Sequence, residues 1–489
     1  SFDRTEQGQL AQSLIPQLTP EQRQVFVTVT TNALREDLGG LYMIDASAGT
    51  GKTFTECTIA AHLRSQGKLV LCAASTGIAA LILPGGLTAH STFKLSFGGD
   101  AVAGSVCSVK SESERADVLR RASLIIWDEV IMSSKFAPEA LNLTLQDLCN
   151  SELSFDGKPV LFSGDWSQVG PVLKFGTETE IVEHAFLSSA LWQHVHRFRL
   201  AVSMRDQDDI PFAKPVLAVG EGNIEPVLLP DGSAAIPLRH TATTEDGSQV
   251  TCSIDGTTDF EILIDSVYPD LLDVGHNTHN DRGILAPTND NIDKINAFII
   301  SKIPRRSYHL LSTDKIVTDG ENMPDVVSVE YLNSVQVPGT PHHDLHLKIG
   351  TLVFFIRNIN FDSGLVNGKK GIIRGISQRV LDVEVISEES PIVNIPRICF
   401  EVQVGARGIT FRRFQFPVRL CYAMTINKCQ GQTLSKVGLD LRGDVFCHGQ
   451  LYVALSRTTC RDNLLCLVKP QRLIDGIPYV HNVVYSEFI

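Results

Sequence analysis

The fold is decided by the stretch Ala46-Ser47-Ala48-Gly49-Thr50-Gly51-Lys52-Thr53, which follows the apolar run 41–44 and opens a helical pattern. A strand that feeds a glycine-rich turn and a helix N-terminus holds nucleotide phosphates, because backbone N–H groups and the helix dipole point at the anion. Lys52 is predicted to reach the β- and γ-phosphates, and Thr53 to ligate Mg²⁺. The predicted nucleotide contacts in this loop are Ala48, Gly49, Thr50, Gly51, Lys52 and Thr53. The strict pattern has glycine where this chain has Ala46, so an ordinary glycine turn is the alternative for this motif alone.

Length and composition are typical of a soluble globular protein with several domains. The chain has 489 residues, of which 43% are hydrophobic and 20% are charged. No apolar run reaches membrane-spanning length, and the first residues lack the layout of a signal peptide. The chain begins with Ser1 rather than Met, which suggests a domain excised from a longer protein.

The charge pattern leaves two interpretations open. The net charge of −12 argues against a protein that coats nucleic acid wholesale. Residues 405–420 nevertheless carry Arg407, Arg412, Arg413 and Arg419 without any acidic residue. Charge alone supports a solvated edge strand and a local nucleic-acid track about equally.

Cysteine and histidine usage argues against a disulfide framework and against a zinc site. The eleven cysteines include no CxxC pair, which indicates free thiols in a reducing compartment, either nuclear or otherwise intracellular. The segment His342-His343-Asp344-Leu345-His346 has the residue types of a metal site. It lacks a partner cluster with ligand spacing, so a solvated surface turn is predicted there.

The order of apolar runs predicts two α/β units. Short apolar runs alternate with helical patterns through the first 200 residues, which is typical of a parallel sheet with crossover helices. The predicted strands of this first sheet are 41–46, 68–73, 124–127, 160–163 and 198–202. Residues 98–116, rich in Gly, Ser and Val, interrupt the alternation and predict a small protruding insertion. A second alternating unit begins at 283–287 and continues with a helix over 289–303.

The pattern becomes β-rich from about Leu347. Apolar strands are separated by turn signals such as Asn367-Gly368. Residues 347–415 are therefore predicted to form a small antiparallel barrel inserted in the second α/β domain. That domain is predicted to resume at 416–424 and to close with a strand at 463–468.

Two further motifs supply the chemistry of phosphate hydrolysis. The apolar strand that starts at Leu124 ends in Asp128 and Glu129. Behind a phosphate loop, the first carboxylate holds Mg²⁺ and the second polarises the attacking water, although such a pair alone is commonplace on surfaces. Gln168 follows the next strand, at the edge where open α/β sheets bind ligands, and is predicted to sense the γ-phosphate.

Arg205 and Arg457 are the candidate arginine fingers. Because Arg457 is far from the phosphate loop along the chain, it is predicted to reach the nucleotide only across a cleft between two α/β domains. A surface salt bridge is the alternative for Arg457 without the other motifs.

Together these motifs resemble the petite-integration-frequency (Pif) family of superfamily-one type B DNA helicases, and most closely its branch in Helitron transposons. The resemblance runs from about Leu18 to Lys469. Further matching motifs are Leu18–Gln22, Ser75–Ala80, Thr88–Phe93, Glu330–Ser334, Thr425–Gln432 and His448–Tyr452. The chain departs from the family at Trp166-Ser167, where Phe-Arg is usual, at Gly170, where Leu is usual, and at Val130, where a small residue is preferred.

The resemblance implies two RecA-like domains that use ATP and Mg²⁺. The first is 1–200, with 98–116 as a strand-separating wedge, and the second is 201–346 and 416–489, with 347–415 as the inserted barrel. Gln22 is implied to read adenine, and Gly431 to lie at the nucleotide. The implied contacts to single-stranded DNA are Thr76, Gly77, His90, Ser91, Phe93, Thr425, Lys428 and His448.

The favoured function is an ATP-driven helicase that moves 5′ to 3′ on single-stranded DNA and unwinds forked or tailed duplex, within a larger transposase-type polypeptide. A translocase that strips protein without unwinding duplex is the alternative. A nucleotide-gated DNA-binding module would be expected to lack Lys52, Glu129 or Arg457, and all three are present. A P-loop phosphotransferase would leave the second α/β unit without a role.

Overall fold

The computed structural model describes residues 2–35, 39–95, 102–173, 176–202, 210–243, 249–271, 281–317, 328–337, 339–360, 363–387, 389–404 and 410–489. The chain folds into two compact units. Unit 1 comprises Ser1–Ile254, Asp444–Asp462 and Tyr479–Ile489, and unit 2 comprises Asp255–Gly443 and Asn463–Pro478. None of the helices in the described ranges is both long and apolar enough to cross a membrane.

The described residues form helices and strands in the following order. The α-helices are α1 Arg4–Leu14, α2 Pro20–Leu34, α3 Lys52–Ser65, α4 Gly77–Ile82, α5 Ala89–Phe93, α6 Glu114–Arg121, α7 Phe136–Cys149, α8 Glu178–His184, α9 Ile210–Gly220, α10 Phe260–Val267, α11 Asn289–Lys302, α12 Val329–Ser334 and α13 Gln450–Leu455. The first strands are β1 Gly40–Ala46, β2 Val70–Ala74, β3 Leu87–Thr88, β4 Leu124–Asp128, β5 Pro159–Gly164, β6 Val195–Leu200, β7 Val227–Leu228, β8 Ala234–Pro237, β9 Arg239–Thr243, β10 Gln249–Ser253, β11 Asp255–Thr257, β12 Arg282–Ala286, β13 Ser307–Leu311 and β14 Thr313–Ile316. The remaining strands are β15 Asp344–Lys348, β16 Leu352–Phe355, β17 Lys370–Ile376, β18 Val380–Val385, β19 Ile392–Pro396, β20 Ile398–Gln403, β21 Thr410–Gln415, β22 Val418–Leu420, β23 Ala423–Thr425, β24 Lys436–Asp440, β25 Leu464–Leu467, β26 Leu473–Ile474 and β27 Ile477–Val480.

Unit 1 is built on a parallel sheet of order β3-β2-β4-β5-β1-β6. All five strands predicted for this region are present, with ends shifted by a few residues. Alternate residues of β1 enter two different apolar cores: Met43 packs in one and Ile44 in the other. Burial on both faces explains why these strands are near-continuous apolar runs.

Unit 2 contains a second parallel sheet, of order β11-β25-β24-β12-β23. The predicted helix after β12 is α11, whose N-terminal N–H of Asn291 is capped by the Thr288 side chain. The α/β fold class with two parallel sheets and an antiparallel β-rich region is therefore confirmed.

The antiparallel region of unit 2 is larger than the predicted 347–415. It consists of the pair β13-β15, the sheet β14-β21-β20 and the sheet β19-β18-β17-β16-β22. Its first strand starts at Ser307, and β22 pairs antiparallel with β16. The parallel sheet therefore resumes only at β23, because residues 418–420 are held in the antiparallel sheet rather than in the α/β domain.

The predicted boundaries between the two α/β domains also need correction. The structure assigns residues up to Ile254, together with Asp444–Asp462, to unit 1. Helix α13 packs against α9 there, so the segment that carries Arg457 belongs to the unit of the phosphate loop. Sequence distance does not separate the two.

The described part of the predicted wedge is largely exposed and is anchored to the core at two residues. Residues 98–101 lie outside the described residues, and Val102 and Val106 are exposed. Cys107 and Ala116 are buried, and the Cys107 N–H donates to Thr144 Oγ1 at 2.8 Å. Exposed residues occur on both sides of Cys107, at 102–106 and at 108–114, and the role of this segment as a wedge stays a prediction.

The basic run 405–420 does not form one continuous solvated track. Arg407 lies outside the described residues, and Arg413 is fully buried against Asp314. The Arg419 Nη2 donates to Asp293 Oδ1 at 2.6 Å. Arg412 is exposed on β21.

Candidate nucleotide site

The phosphate loop has the local geometry that its sequence predicts. Strand β1 ends at Ala46, and α3 begins at Lys52. Gly49 and Gly51 adopt φ values of 88° and 81°, in the left-handed region that favours glycine. A Cβ atom at Gly51 would also collide with the Gln22 side-chain amide. Glycine is therefore required here by both conformation and space.

Gln22 braces this loop from helix α2. Its Nε2 donates to the Thr50 carbonyl at 2.9 Å, and its Oε1 accepts the Thr19 N–H at 3.0 Å. The residue is 2% exposed and forms a capping box with Thr19. This places Gln22 beside the phosphate loop, while its implied contact to adenine stays a prediction.

Lys52 and the two carboxylates after β4 meet in one buried cluster. The Lys52 Nζ lies 2.6 Å from Glu129 Oε1 and 3.3 Å from Asp128 Oδ1. Burial alone would lower the pKa of Lys52, but Asp128 and Glu129 outweigh it and raise the pKa above its ordinary value. Lys52 is therefore a permanent cation, as a phosphate ligand requires.

Asp128 and Glu129 are oriented differently. Asp128 Oδ1 accepts the Ser163 hydroxyl at 2.8 Å and the Glu129 N–H at 2.9 Å. Glu129 has a left-handed φ of 55°, which is unusual for a residue other than glycine. Within the described ranges its buried Oε2 has no hydrogen-bond partner. Glu129 thus has one oxygen on Lys52 and one available to a ligand or a water.

The donor set fits Mg²⁺. Asp128 supplies a carboxylate at the end of β4, and Thr53 supplies a hydroxyl in the first turn of α3. Mg²⁺ prefers such oxygen ligands and completes its shell with water and nucleotide phosphates. The unpartnered Glu129 Oε2 is a further acceptor for the waters of such a shell.

A third carboxyl group, Glu56, was not identified from the sequence. It is fully buried on α3, and neither of its carboxyl oxygens has a hydrogen-bond partner among the described residues. Burial, followed by the charge of Asp128, raises the pKa of Glu56 well above its ordinary value. Burial therefore favours the uncharged form of the Glu56 carboxyl group. Its position one helical turn after Lys52 could have indicated that it lies near the phosphate loop. Its burial could not be predicted, because burial of that face of α3 depends on tertiary packing.

Gln168 lies in the turn that follows β5, where its side chain is hydrogen-bonded to Asp165. Its Nε2 donates to Asp165 Oδ2 at 2.8 Å, and the Tyr452 hydroxyl donates to the same oxygen at 3.0 Å. Burial raises the pKa of Asp165 to about 6, although Gln168 and Lys52 oppose the shift. Gln168 Oε1 has no partner in the part of the chain that the structure describes. That oxygen is the atom with which Gln168 can sense a ligand.

Tyr452 joins this group to the phosphate loop. Its hydroxyl oxygen lies 3.4 Å from the Ala48 N–H, and burial raises the pKa of Tyr452 well above its ordinary value. The sequence places Tyr452 in a family-like motif but predicts no role for it, and it predicts none for Asp165. Only the fold brings Tyr452 to residues about 400 positions earlier.

His448 is structural, so the prediction that it contacts DNA is wrong. It is 1% exposed, and its Nε2–H donates to the Trp166 carbonyl at 2.7 Å. Its Nδ1 accepts the Tyr485 N–H at 2.9 Å, and burial lowers the pKa of His448 to about 4. Both ring nitrogens of this neutral imidazole are thus used inside unit 1. The adjacent Gly449 passes too close to the Ser167 carbonyl for any side chain.

The two candidate arginine fingers differ in what the structure describes. Arg205 lies outside the described residues. Arg457 is 2% exposed, and its Nε donates to the Val453 carbonyl at 2.8 Å. Its charge opposes the burial-driven rise in the pKa of Tyr452, which places it in the same polar surroundings. Arg457 is therefore not an exposed salt-bridge residue.

The predicted DNA contacts of unit 1 separate into exposed and buried residues. Thr76 caps α4 by accepting the Ala79 N–H at 3.2 Å, which leaves its hydroxyl hydrogen for another acceptor. Gly77, His90 and Ser91 are half-buried at the starts of α4 and α5. Phe93 does not fit its predicted contact to DNA, because its side chain is fully buried with its ring centroid 5.2 Å from that of Trp127.

The predicted contacts of unit 2 lie around the end of β23. Thr425 is half-buried at the end of that strand, and Gly431 is exposed with a φ of 80°. The Lys428 Nζ lies 4.9 Å from the Phe354 ring centroid. Loss of hydration there, together with the nearby Arg419, lowers the pKa of Lys428 to about 8.

Comparisons with known proteins agree on one family. A model of PIF1-like helicases matches residues 17–227, and a model of the 2B domain of the DNA helicase Pif1 matches residues 330–376. The chain is 28% identical to the ATP-dependent DNA helicase Pif1 of Campylobacter jejuni, over 85% of this chain and 86% of that protein. It is 26% identical to the human ATP-dependent DNA helicase PIF1, over 92% of this chain and 61% of that protein.

Solved structures share the fold. Bacteroides Pif1 bound to single-stranded DNA has a TM-score of 0.64 at 21% identity and covers 92% of each chain. The Bacteroides enzyme in complex with ADP-AlF3 and single-stranded DNA has a TM-score of 0.63 at 22% identity, also over 92% of each chain.

Proposed function

Because the chain belongs to the Pif1-like helicase family, we propose that it is an ATP- and Mg²⁺-dependent helicase that moves 5′ to 3′ on single-stranded DNA and unwinds duplex. The observation that carries this proposal is the buried cluster of Lys52, Asp128 and Glu129 at the mouth of the phosphate loop. A buried lysine clamped by two carboxylates is costly unless a ligand uses it. Triphosphate is the ligand that this loop geometry fits.

Each residue of the cluster has a distinct part in hydrolysis. Lys52 exchanges its bond to Glu129 for bonds to the β- and γ-phosphates, which frees Glu129 Oε1. Thr53 and Asp128 would hold Mg²⁺, which would neutralise phosphate charge. Glu129 accepts the proton of the attacking water, and Gln168 Oε1 orients that water. Arg457 and Arg205 stabilise charge that develops on the γ-phosphate.

Asp165 and Tyr452 provide a physical route from the nucleotide to the rest of unit 1. Tyr452 bonds both the loop residue Ala48 and the Asp165 carboxyl group. Movement of the phosphate loop on binding nucleotide therefore changes the hydrogen bonds of α13. We propose that this change is coupled to DNA movement.

The DNA partner is proposed to be single-stranded DNA, together with forked or tailed duplex. Thr76, Gly77, His90 and Ser91 in unit 1, and Thr425 and Lys428 in unit 2, are the candidate contacts. Hydroxyl groups and helix N-termini bind phosphates without sequence preference, which suits a protein with a net charge of −12.

The biological setting is proposed from the sequence. The cysteine pattern supports a reducing compartment, nuclear or otherwise intracellular. A transposon-type branch and a place in a larger transposase-type polypeptide complete the proposal. The length of the polypeptide that carries this chain in its host, measured by immunoblotting, tests that last point.

The function is tested on duplexes with a 5′ tail, a 3′ tail and a fork, with wild type and with Lys52→Ala as the inactive control. We expect ATP hydrolysis stimulated by single-stranded DNA, and unwinding of 5′-tailed and forked duplexes only. Unwinding from a 3′ tail contradicts the polarity. Displacement of bound protein without unwinding supports the translocase alternative.

The role of Arg457 has its own experiment. Arg457→Ala should bind ATP and single-stranded DNA yet lose about 10³–10⁵-fold in turnover. Arg461→Ala, four residues later, is the matched control and should stay near wild type. Hydrolysis within a few-fold of wild type in Arg457→Ala would show that the residue is structural.

A further inference from the structure

Strands β13 and β15 form a two-stranded ribbon whose outer face carries two histidines and an aspartate. The pairing places His309 directly opposite His346, and Leu311 opposite Asp344. Leu310, Leu345 and Leu347 point to the other side and are buried in the antiparallel core. The register of the ribbon therefore fixes the outer face as well.

The three polar side chains converge on one point. The His346 Nε2 lies 2.7 Å from Asp344 Oδ2, and the His309 Nδ1 lies 3.2 Å from the same oxygen. The two imidazole ring centroids are 3.8 Å apart. One ligand atom from each residue lies within 4.8 Å of the others, which is the spacing of ligands around a single metal ion.

We propose that His309, Asp344 and His346 form a binding site for a divalent transition ion of the zinc type. Two imidazoles and one carboxylate are ligands that Zn²⁺ and its first-row neighbours prefer, whereas Mg²⁺ selects all-oxygen sites. The site is separate from the nucleotide cluster, because all three residues belong to unit 2. The predicted surface turn at 342–346 is thus corrected: Asp344–Lys348 is a strand, and His309 is its missing partner.

An ion would replace the two hydrogen bonds between the histidines and Asp344, in which the ring nitrogens already face the carboxylate. In each histidine the nitrogen that faces Asp344 gives up its proton, which goes to solvent from a doubly protonated ring or moves to the other ring nitrogen of a neutral one. The ring that binds the ion is then neutral, and its lone pair points at the shared position. Asp344 exchanges two N–H donors for the ion. The three donor atoms are already grouped before an ion binds.

The surroundings leave room for water ligands. The three side chains are 40–56% exposed. Asp344 and His346 also line a cavity of about 390 Å³. Three protein ligands with open positions are typical of an exchangeable ion rather than a closed structural site.

The ion would tie β13 to β15. A two-stranded ribbon is only marginally stable by itself, and here one face is held by the apolar core. A cross-strand bond on the opposite face would stabilise the start of the antiparallel region whenever the ion is bound.

The test measures metal binding by the full, nucleotide-free chain in a thiol-free reductant. Zn²⁺ is followed by equilibrium dialysis, and Co²⁺ is the optical probe that distinguishes nitrogen and oxygen ligands from thiolates. Wild type should bind about one ion more per chain than His309→Ala or His346→Ala at micromolar free metal, a loss of at least about tenfold in affinity. Asp344→Asn should weaken binding in the same direction while preserving side-chain shape.

His343→Ala is the matched control, because His343 lies in the same histidine-rich segment but its Nδ1 bonds Ser312 Oγ at 2.8 Å. The affinity of His343→Ala for metal should be within about twofold of that of wild type. Zn²⁺ should raise the thermal unfolding midpoint of wild type and of His343→Ala alike. Equal binding by wild type and His309→Ala would overturn the proposal. An equal loss in His343→Ala, or competition by Mg²⁺ against Co²⁺, would overturn it as well.

Discussion

The two units each bury charged side chains, but they satisfy them differently. In unit 2, Arg413 and Asp314 form an ion pair at 2.7 Å with no exposed side-chain surface. Arg413 also donates to the carbonyl oxygens of Leu332, Val335 and Pro341. Every nitrogen of its guanidinium therefore has an acceptor.

The cluster of unit 1 is incompletely satisfied. Lys52 is paired with Asp128 and Glu129, yet one oxygen of Glu129 and both oxygens of Glu56 lack hydrogen-bond partners among the described residues. Buried polar atoms without partners are uncommon in native proteins and are costly to retain. The completely satisfied pair of unit 2 has no polar atom left for a ligand, whereas the cluster of unit 1 keeps such atoms beside the phosphate loop.

Among the variants that test this comparison, the largest effect is expected from Glu129→Gln, which removes the proton acceptor but keeps the shape of the cluster. ATP turnover should fall by about 10²–10⁴-fold, because general-base catalysis contributes about that much. Binding of Mg²⁺ and nucleotide should persist, since Asp128 and Thr53 remain. Single-turnover hydrolysis and nucleotide titration measure the two properties separately. Near-normal turnover would assign the base to another residue.

Arg413→Ala is expected to lower the stability of the fold rather than ATP turnover. Removing one partner of a satisfied buried pair should cost about 3–5 kcal/mol of stability, because Asp314 is left buried and charged. The exposed neighbour Arg412→Ala should change stability by less than about 0.5 kcal/mol. Denaturant unfolding followed in unit 2 gives both values. A large loss of ATP turnover in a fully folded Arg413→Ala protein would contradict the comparison.

The phosphate loop and the carboxylates after β4 were predictable from sequence because their signals are local. A strand, a glycine turn and a helix start fall within a few residues at 46–53, and the carboxylates at 128–129 then distinguish a phosphate loop from an ordinary glycine turn. The same holds for the buried parallel strands, whose apolar runs reflect burial on both faces.

Properties that depend on tertiary packing were not predictable in this way. Phe93 and His448 lie in family-like motifs, yet both are buried in unit 1. The antiparallel region was bounded too narrowly because the pairing of β22 with β16 joins distant segments. His309 was missed because its partner residues follow 35 positions later and meet it only through strand register.

A smaller effect, on stability, is expected from Glu56→Gln. This variant tests whether the buried Glu56 carboxyl group of unit 1 lacks hydrogen-bond partners. The folded-state pKa of Glu56 is raised, so above its unfolded pKa the folded chain binds more protons than the unfolded chain. Wild type therefore loses stability as pH rises from about 4.5, by up to about 1.4 kcal/mol per pH unit, until the folded pKa is passed. Glu56→Gln lacks this loss, so its advantage over wild type should grow with pH.

Thermal midpoints of wild type and Glu56→Gln between acid and neutral pH measure that advantage. The exposed Glu183→Gln is the matched control and should follow wild type throughout. A constant difference across the whole range would mean that Glu56 is partnered in solution.

The smallest expected effect is that of Tyr452→Phe, which removes one hydroxyl between Asp165 and Ala48. Above pH 6 the acceptor Asp165 is a carboxylate, and a hydrogen bond to a charged group contributes about 1.5–3 kcal/mol. ATP turnover should therefore fall by at most about 100-fold. The direction in which the pH profile of turnover shifts is more informative than the size of the loss. Burial raises the pKa of Asp165 to about 6, and the Tyr452 hydroxyl is one of the groups that oppose the shift. Without it, the pKa of Asp165 should rise, and the acid limb of the turnover profile should move to higher pH.

Tyr485→Phe is the matched control for this shift, because Tyr485 is also a buried tyrosine of unit 1 but contacts His448 through its backbone N–H. Its acid limb should coincide with that of wild type. If Tyr452→Phe lowers turnover equally at every pH, Asp165 does not titrate in the working enzyme, and Gln168 must be positioned without it. If the limb moves as expected, the incompletely satisfied group of unit 1 extends from Glu129 to α13, and one hydroxyl connects the phosphate loop to that helix.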